Sequence, residues 1–558
     1  MLLMKKYVIG LDFGSLSGRA ILVDVANGNE IAESVLEYTH AIMSETLPDG
    51  TPLPIDSAIQ HPQDYLDVVS FVIRDVLQKA KVSADDVIGF CLDFTAATVL
   101  PVDENLMPLC FQEKFASHPK AYVTMWKDHT AAPQAALIDK ISAEMQEKHL
   151  DYLGGKCSAE NGLAKTLAIL QTDEEVYNAA YRILEAGDWL TMLISGTDKK
   201  GYNYAACKEF WNPALGGYPS PDFMKALDPR FKNVVEEKFG GDTVSYVPCC
   251  GTVTKRGAEL TGLKEGTPVS IPYVDGYCSM PACGVIDPGK MSMIIGTSLC
   301  HMVSSVENIS VPGIFASVPD LMYQGYTTYE GGQASCGDMF AWFIENCLPA
   351  SYTKEAEERG MGIHALLREK LKKTAPGSSG LICLDWFNGN RSVLGDADLS
   401  GLIVGLTLQT KPEEIYRALL ESCVFGTRRI IEQLEGGGVP IREIVACGGI
   451  AHKDELMMQM FADITNRPIY ICASTQAPAL SSAMFAAVAA GAERGGYDDI
   501  HDAVNAMARL LDKVYLPDEN NHYIYDKLYE EYKLIHDAFG LQNGVMKRLK
   551  NLRLQQGE

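Results

Sequence analysis

Two aspartates lie in surroundings that suit chemistry. Asp12 sits in Val8-Ile9-Gly10-Leu11-Asp12-Phe13-Gly14-Ser15-Leu16-Ser17-Gly18-Arg19. This reads as an apolar strand, a small-residue turn and a second strand from Ala20 to Asp24. Gly14 and Gly18 carry no Cβ, so backbone N–H groups of such a turn can approach an anion, with Ser15 and Arg19 beside it. Asp12 can hold a cation against that anion. The other reading is a tight hairpin with an Asx-type hydrogen bond. No Gly-Lys-Ser/Thr follows, so the turn is no P-loop, and the second strand rules out a dinucleotide fingerprint. Asp275, in Val274-Asp275-Gly276, follows the apolar run 269–274. It is either a turn aspartate before glycine or a general base that takes a hydroxyl proton as a phosphoryl group arrives.

Other stretches fit the same chemistry. Gly296-Thr297-Ser298 follows the strand Met291–Ile295 and offers N–H and O–H donors to phosphate oxygens, or is an ordinary turn. Two such hairpins facing each other would clamp a polyphosphate from both sides. Gly448-Gly449, after the strand Ile444–Cys447, permits close approach of a flat ring, though the pattern is unspecific. Trp126-Lys127-Asp128-His129 pairs an aromatic face with polar groups, as sugar sites do; alternatively Trp126 fills core and the other three are solvated. Lys208 and Glu330 have aromatic neighbours, but each alone reads as a surface charge.

The elements that must position these residues alternate in type. A meander spans 7 to about 40, with a hairpin signal at Asn27-Gly28-Asn29. Pro62 opens a helix to about Ala80 with an apolar stripe through Tyr65, Val69, Val72, Ile73, Val76 and Leu77. The buried strand Val87–Leu92 then ends at Asp93-Phe94-Thr95, which brings Asp93, Thr95 and Ala96 to a strand end where α/β sheets bind ligands. Residues 130–200 read as mainly helical, including Glu174–Glu185, and 200–250 as a loop-rich lobe. A second α/β block begins near Val269, and its strand–turn–strand at 291–304 resembles the opening one, a weak internal repeat. A long helix covers Pro412–Leu434, two more cover 454–465 and 478–490, and a more polar helical tail follows Asp498.

The chain has 558 residues, too many for one core, so two large domains are expected. A net charge of −24 argues against a nucleic-acid partner and suits a small-molecule substrate. Met1-Leu2-Leu3-Met4-Lys5-Lys6 does not read as a signal peptide, and no apolar run is long enough to span a membrane. The 15 cysteines, odd in number and scattered, read as reduced core thiols of a cytoplasmic protein, not as disulfides or metal ligands.

Taken together, these stretches resemble the FGGY carbohydrate kinases. The likeness is carried by Gly10-Leu11-Asp12-Phe13-Gly14-Ser15, Leu92-Asp93-Phe94-Thr95, Trp126-Lys127-Asp128-His129-Thr130 and Glu185-Ala186-Gly187-Asp188-Trp189. It is carried also by Ile295-Gly296-Thr297-Ser298, Ala446-Cys447-Gly448-Gly449-Ile450 and, most specifically, Leu384-Asp385-Trp386-Phe387-Asn388-Gly389-Asn390-Arg391. The Trp-Lys-Asp-His and Asn-Gly-Asn-Arg marks set it with the members that act on ribulose, apart from those acting on xylulose or glycerol. Thr95-Ala96-Ala97-Thr98 departs from the more usual Thr-Gly-Ser-Thr.

The resemblance implies an α/β chain of actin-like ATPase (ribonuclease-H-like) fold, two domains with an active-site cleft between them. It places an N-terminal sugar-binding domain at 1–287, a C-terminal ATP-binding domain at 288–500 and a helical tail at 501–558. It implies ATP-dependent phosphorylation of L-ribulose to L-ribulose 5-phosphate in arabinose catabolism, in a cytoplasmic enzyme that allows a homodimer. Kinases of D-ribulose, ribitol or D-xylulose, and a non-catalytic sugar or nucleotide sensor, are the alternatives. Asp275 matches the catalytic base, Asp12 (with Asp275) the Mg²⁺ position, and Ala96, Trp126, Lys208 and Glu330, with Asp275, the sugar contacts. Gly14, Ser15 and Arg19, with Gly296, Thr297 and Ser298, match the phosphate turns, and Gly448 and Gly449 the adenosine turn.

Overall fold

A computed structural model describes residues 5–241, 244–245, 248–372 and 374–556; the reading of Met1–Met4 lies outside the described residues. The chain divides into two compact units. The first comprises Met1–Ile286, Val318–Tyr326 and Gln476–Arg509, and the second Asp287–Ser317, Thr327–Thr475 and Leu510–Glu558.

The first unit is organised on its opening strand, Tyr7–Phe13, a run buried from Val8 onward. Such continuous burial marks a central strand covered on both faces. It pairs antiparallel with Ser17–Asp24 and parallel with Val87–Phe94. The sheet extends through Glu30–Glu37 on one side and through Pro268–Ser270 to Cys249–Thr252 on the other, with Tyr273–Val274 also pairing with Val87–Phe94. Helix Pro62–Ala80 makes the crossover. Proline occupies its first turn, and its apolar stripe is buried at the expected positions. Helix Ala477–Ala490 is nearly all small and apolar and packs so closely on the opening strand that a Cβ on Gly10 would overlap the Ala479 carbonyl.

The second unit repeats the pairing pattern. Lys290–Ile295 pairs antiparallel with Leu299–Ser305 and parallel with Glu443–Cys447. Its sheet also contains Thr327–Gln333 and Ile469–Ile471. Helix Pro412–Gly436 buries Tyr416, Leu419, Leu420, Val424 and Ile431 in the core of this unit.

Several expectations change. The strand from Val87 continues to Phe94, so Asp93 lies within its last turn of pleat instead of beyond it. Residues 182–185 form a strand paired with Val99–Val102, because the helix from Glu174 stops at Ala179 and hands Ile183 and Leu184 to the core. The stretch 200–250 carries short helices at Tyr202–Lys208 and Pro221–Leu227. Pro268–Ser270 belongs to the first sheet, so the second block starts after Ile286.

The unit boundary after Ile286 falls within one residue of the expected break at 287, whereas the chain from Gln476 onward divides otherwise than at 500. Helix Ala477–Ala490 returns to the first unit because it covers the opening strand. The segment after Leu510 joins the second unit, because Tyr525, Tyr529 and Tyr532 of helix Glu519–Asp537 are buried and Arg417 donates to the Tyr525 hydroxyl at 3.0 Å. The 15 cysteines are free thiols, most of them buried. Among the described residues no helix is long and apolar enough to cross a membrane.

Candidate functional site

In the first unit, three adjacent strands end with a carboxyl group each. Asp12 and Asp93 are register partners on parallel strands. Tyr273 is Asp93's partner on the other side, and the N–H of Asp275 donates to Phe94 O at 3.0 Å. Parallel pairing is what brings all three to one edge of the sheet. Asp275 is half-buried, with its Oδ1 accepting the Gly276 N–H at 2.7 Å.

The surroundings tune these groups differently. Burial raises Asp12 above its ordinary value, while the Arg19 guanidinium, 3.5 Å away, opposes the rise. Burial pushes Asp93 well above its ordinary value, and the charges of Asp12 and Asp275 add to the push. Ser482 Oγ donates to Asp93 Oδ2 at 2.7 Å and offsets part of it.

The turn after Asp12 is a closed hairpin whose Gly14 N–H donates to Ser17 O at 3.0 Å. Tyr38 Oη donates to Gly14 O at 2.8 Å, and Gln60 Nε2 to Ser15 O at 2.8 Å. Carbonyls are thus satisfied from within, while Gly14 and Ser15 are half-buried at the surface of the unit. Arg19 bonds Ser17 Oγ and reaches Gln476.

Trp126 joins this turn, its indole N–H donating to Ser15 Oγ at 3.1 Å. Asp128 is not solvated, since its carboxylate accepts from Ala58 N and Thr130 Oγ1 in the interior. Lys208 and Glu330 are likewise not surface charges, being 8% and 9% exposed. Lys208 closes helix Tyr202–Lys208 and stands 3.8 Å from Glu160. Ala96 lies in the turn after Val87–Phe94, half-buried. Asp12, Asp275, Ala96, Trp126, Lys208, Gly14, Ser15 and Arg19 all belong to the first unit.

The remaining residues belong to the second unit. Glu330 lies in Thr327–Gln333, paired with Met302. The Gly296-Thr297-Ser298 turn is closed by Gly296 N–H to Ser298 O at 3.0 Å. Its carbonyls are tied to the start of helix Gly337–Asn346 through Cys336 and Gly337 N–H groups, which leaves Gly296 and Thr297 exposed. Gly448 has φ of 94°, open to glycine, and turns the chain from its strand into the short helix beginning at Gly449, which is exposed.

Sequence reasoning missed the buried ionic group behind Ala96 and Trp126. Lys165, Glu185, Asp188, Lys200 and Glu209 are each at most 2% exposed. Lys200 pairs with Glu209. Burial lifts Glu185 to about 7 and Asp188 to about 8, and it lowers Lys165 to about 8. A signal existed for Lys165, a lone cation in Gly162–Thr172 with apolar residues on every face.

Residues 7–280 match the model of the FGGY family of carbohydrate kinases, N-terminal domain, and residues 291–490 that of its C-terminal domain. This chain belongs to the FGGY family of carbohydrate kinases. As an FGGY kinase it is 48% identical over 539 residues to a ribulokinase of Bacillus licheniformis, covering 96% of this chain and 98% of that one. It is 46% identical over 550 residues to a ribulokinase of Halalkalibacterium halodurans, covering 98% of each. Among solved structures, a xylulose kinase from Rhodospirillum rubrum superposes with a TM-score of 0.79 at 23% identity, over 96% of this chain and 99% of that one. The FGGY kinase therefore has the actin-like ATPase, ribonuclease-H-like fold expected of it.

Proposed function

We propose that this kinase transfers the γ-phosphoryl group of ATP to the terminal (O5) hydroxyl of L-ribulose, giving L-ribulose 5-phosphate. The observation that carries this reading is the identity of 45–48% to several ribulokinases over nearly the whole chain. In this reading Ala96, Trp126, Lys208 and Glu330 hold the sugar. Trp126 offers an aromatic face to its apolar side, and the two charged groups bond its hydroxyls. Asp275 accepts the proton of the attacking hydroxyl, a contribution of about 10²–10⁴-fold.

Ser15 and Arg19, and Thr297 and Ser298, donate to phosphate oxygens; Gly14 and Gly296, whose N–H groups close their own turns, let the phosphates approach the backbone, and Gly448 and Gly449 bring the backbone close to adenosine. Among the described residues no group of three or more His, Cys, Asp or Glu could hold a metal by protein ligands alone. Mg²⁺ takes one or two carboxylates and fills its remaining positions with phosphate oxygens and water. Asp12 and Asp275 are the hard oxygen donors that would hold it. When bound, the ion neutralises charge on the transferring group.

The test is ³¹P NMR of a reaction containing the protein, MgATP and L-ribulose. A sugar-dependent conversion of ATP to ADP with a new phosphomonoester coupled to the C5 protons supports the reading. ADP release without sugar, or an ester at another carbon, contradicts it.

A further inference from the structure

Lys165 lies in the interior run of helix Gly162–Thr172, 2% exposed. An ammonium group has three N–H donors and no acceptor. Lys165 Nζ places all three on main-chain carbonyls: Ala97 O at 2.6 Å, Met125 O at 2.6 Å and Thr124 O at 3.1 Å. These carbonyls come from two separate segments. One is the turn Thr95–Thr98, which carries Ala96. The other leads directly into Trp126.

The Ala97–Thr98 peptide group is held at both ends. Lys165 takes its oxygen, and Glu185 Oε2 takes its N–H at 2.8 Å. Ala97 has φ of 57°, a left-handed conformation that disfavours a residue with a Cβ, so these bonds oppose the local preference of the chain. Glu185 is fully buried, and its Oε1 has no hydrogen-bond partner among the described residues. Burying an ammonium and a carboxylate here is costly, and apolar residues would fill the same volume. No apolar side chain could draw carbonyls of two segments to one point.

We propose that Lys165, with Glu185, is a positioning residue of the sugar site: it fixes the spacing between the Ala96 turn and Trp126 and so sets how tightly the pentulose is held. This rests on the assignment of Ala96 and Trp126 to the sugar made above.

The test compares steady-state kinetics of wild type, Lys165→Met, Lys165→Arg and Glu185→Gln, with circular dichroism to establish folding. Lys165→Met raises KM for L-ribulose about tenfold or more, while KM for ATP, reached only through the Trp126–Ser15 bond, rises by a far smaller factor. Lys165→Arg keeps the charge but replaces three-pronged donation by a planar fork, and raises the sugar KM less. Glu185→Gln conserves volume but offers the Thr98 N–H a neutral amide oxygen, a weaker acceptor than the carboxylate, and removes the charge facing Lys165. It raises the sugar KM severalfold and carries the test if the Lys165 variants do not fold. Folded variants whose sugar KM equals that of wild type overturn the proposal, as do variants in which both KM values rise by the same factor. Failure of the L-ribulose reading looks different, because wild type itself then fails to turn over L-ribulose. The same variants are in that case compared with whichever of D-ribulose, D-xylulose or ribitol wild type phosphorylates best.

Discussion

Trp126 and Ser15, 111 positions apart in the chain, are joined by a hydrogen bond of 3.1 Å from the indole N–H to the serine hydroxyl. The residue assigned to the sugar thus bonds directly to the residue assigned to phosphate. Each therefore helps to orient the other.

This link predicts coupling. Trp126→Phe keeps an aromatic face but loses the donor, and Ser15→Ala loses the acceptor. Each single variant is expected to raise KM for both sugar and ATP, and the double variant to cost less than the sum of the two. A double-mutant cycle on kcat/KM measures this. Strictly additive effects would show that the bond carries no coupling.

Asp275→Asn removes a proton acceptor while keeping size and the ability to accept the Gly276 N–H. A loss in kcat of about 10²–10⁴-fold is expected, with KM for the sugar little changed. A folded variant with kcat near wild type would remove Asp275 from the role of base.

Gly10→Ala places a methyl group against the Ala479 carbonyl, a backbone atom that cannot swing aside. A destabilisation of about 3 kcal/mol or more is expected, the upper end for overpacking. Gly436→Ala is the control, since a Cβ there meets nothing. Urea denaturation of both variants checks it, and equal midpoints would contradict the close packing of helix Ala477–Ala490 on the opening strand.

Asp188 gives a pH dependence of stability. Burial raises it from an ordinary 3.8 to about 8, so the folded chain holds a proton that the unfolded chain has lost. Its contribution is complete below the unfolded value and is lost as pH rises through the folded one, with a slope of up to about 1.4 kcal/mol per pH unit. Asp188→Asn keeps an acceptor for the Gly201 N–H, which Asp188 Oδ1 binds at 2.6 Å, and does not titrate. Between about pH 6 and about pH 8 the wild-type Tm is expected to fall relative to that of the variant. A constant Tm difference over that range would show that Asp188 is ionised in the folded chain.

Much of the fold was legible because it is written in local patterns. The strand at Val8–Phe13 is a nearly unbroken apolar run, and the helices from Pro62 and Pro412 each combine a burial pattern with a proline in the first turn. The parallel of the two hairpins was legible as well, since turn and strand composition recur. Long-range packing was not. Nothing local says that Ala477–Ala490 covers a strand 470 positions earlier, or that the tyrosines after Glu519 belong to the core of the second unit. Lys208 and Glu330 read as solvated because their burial depends on neighbours distant in sequence. The Lys165 carbonyl cage escaped for a related reason: main-chain acceptors leave no mark on residue type.

The central claim is that this kinase prefers L-ribulose as phosphoryl acceptor. A coupled ADP-release assay giving kcat/KM for L-ribulose, D-ribulose, D-xylulose and ribitol at saturating MgATP tests it most directly. The account predicts the largest kcat/KM for L-ribulose. A kcat/KM for D-xylulose equal to or above that for L-ribulose would contradict it.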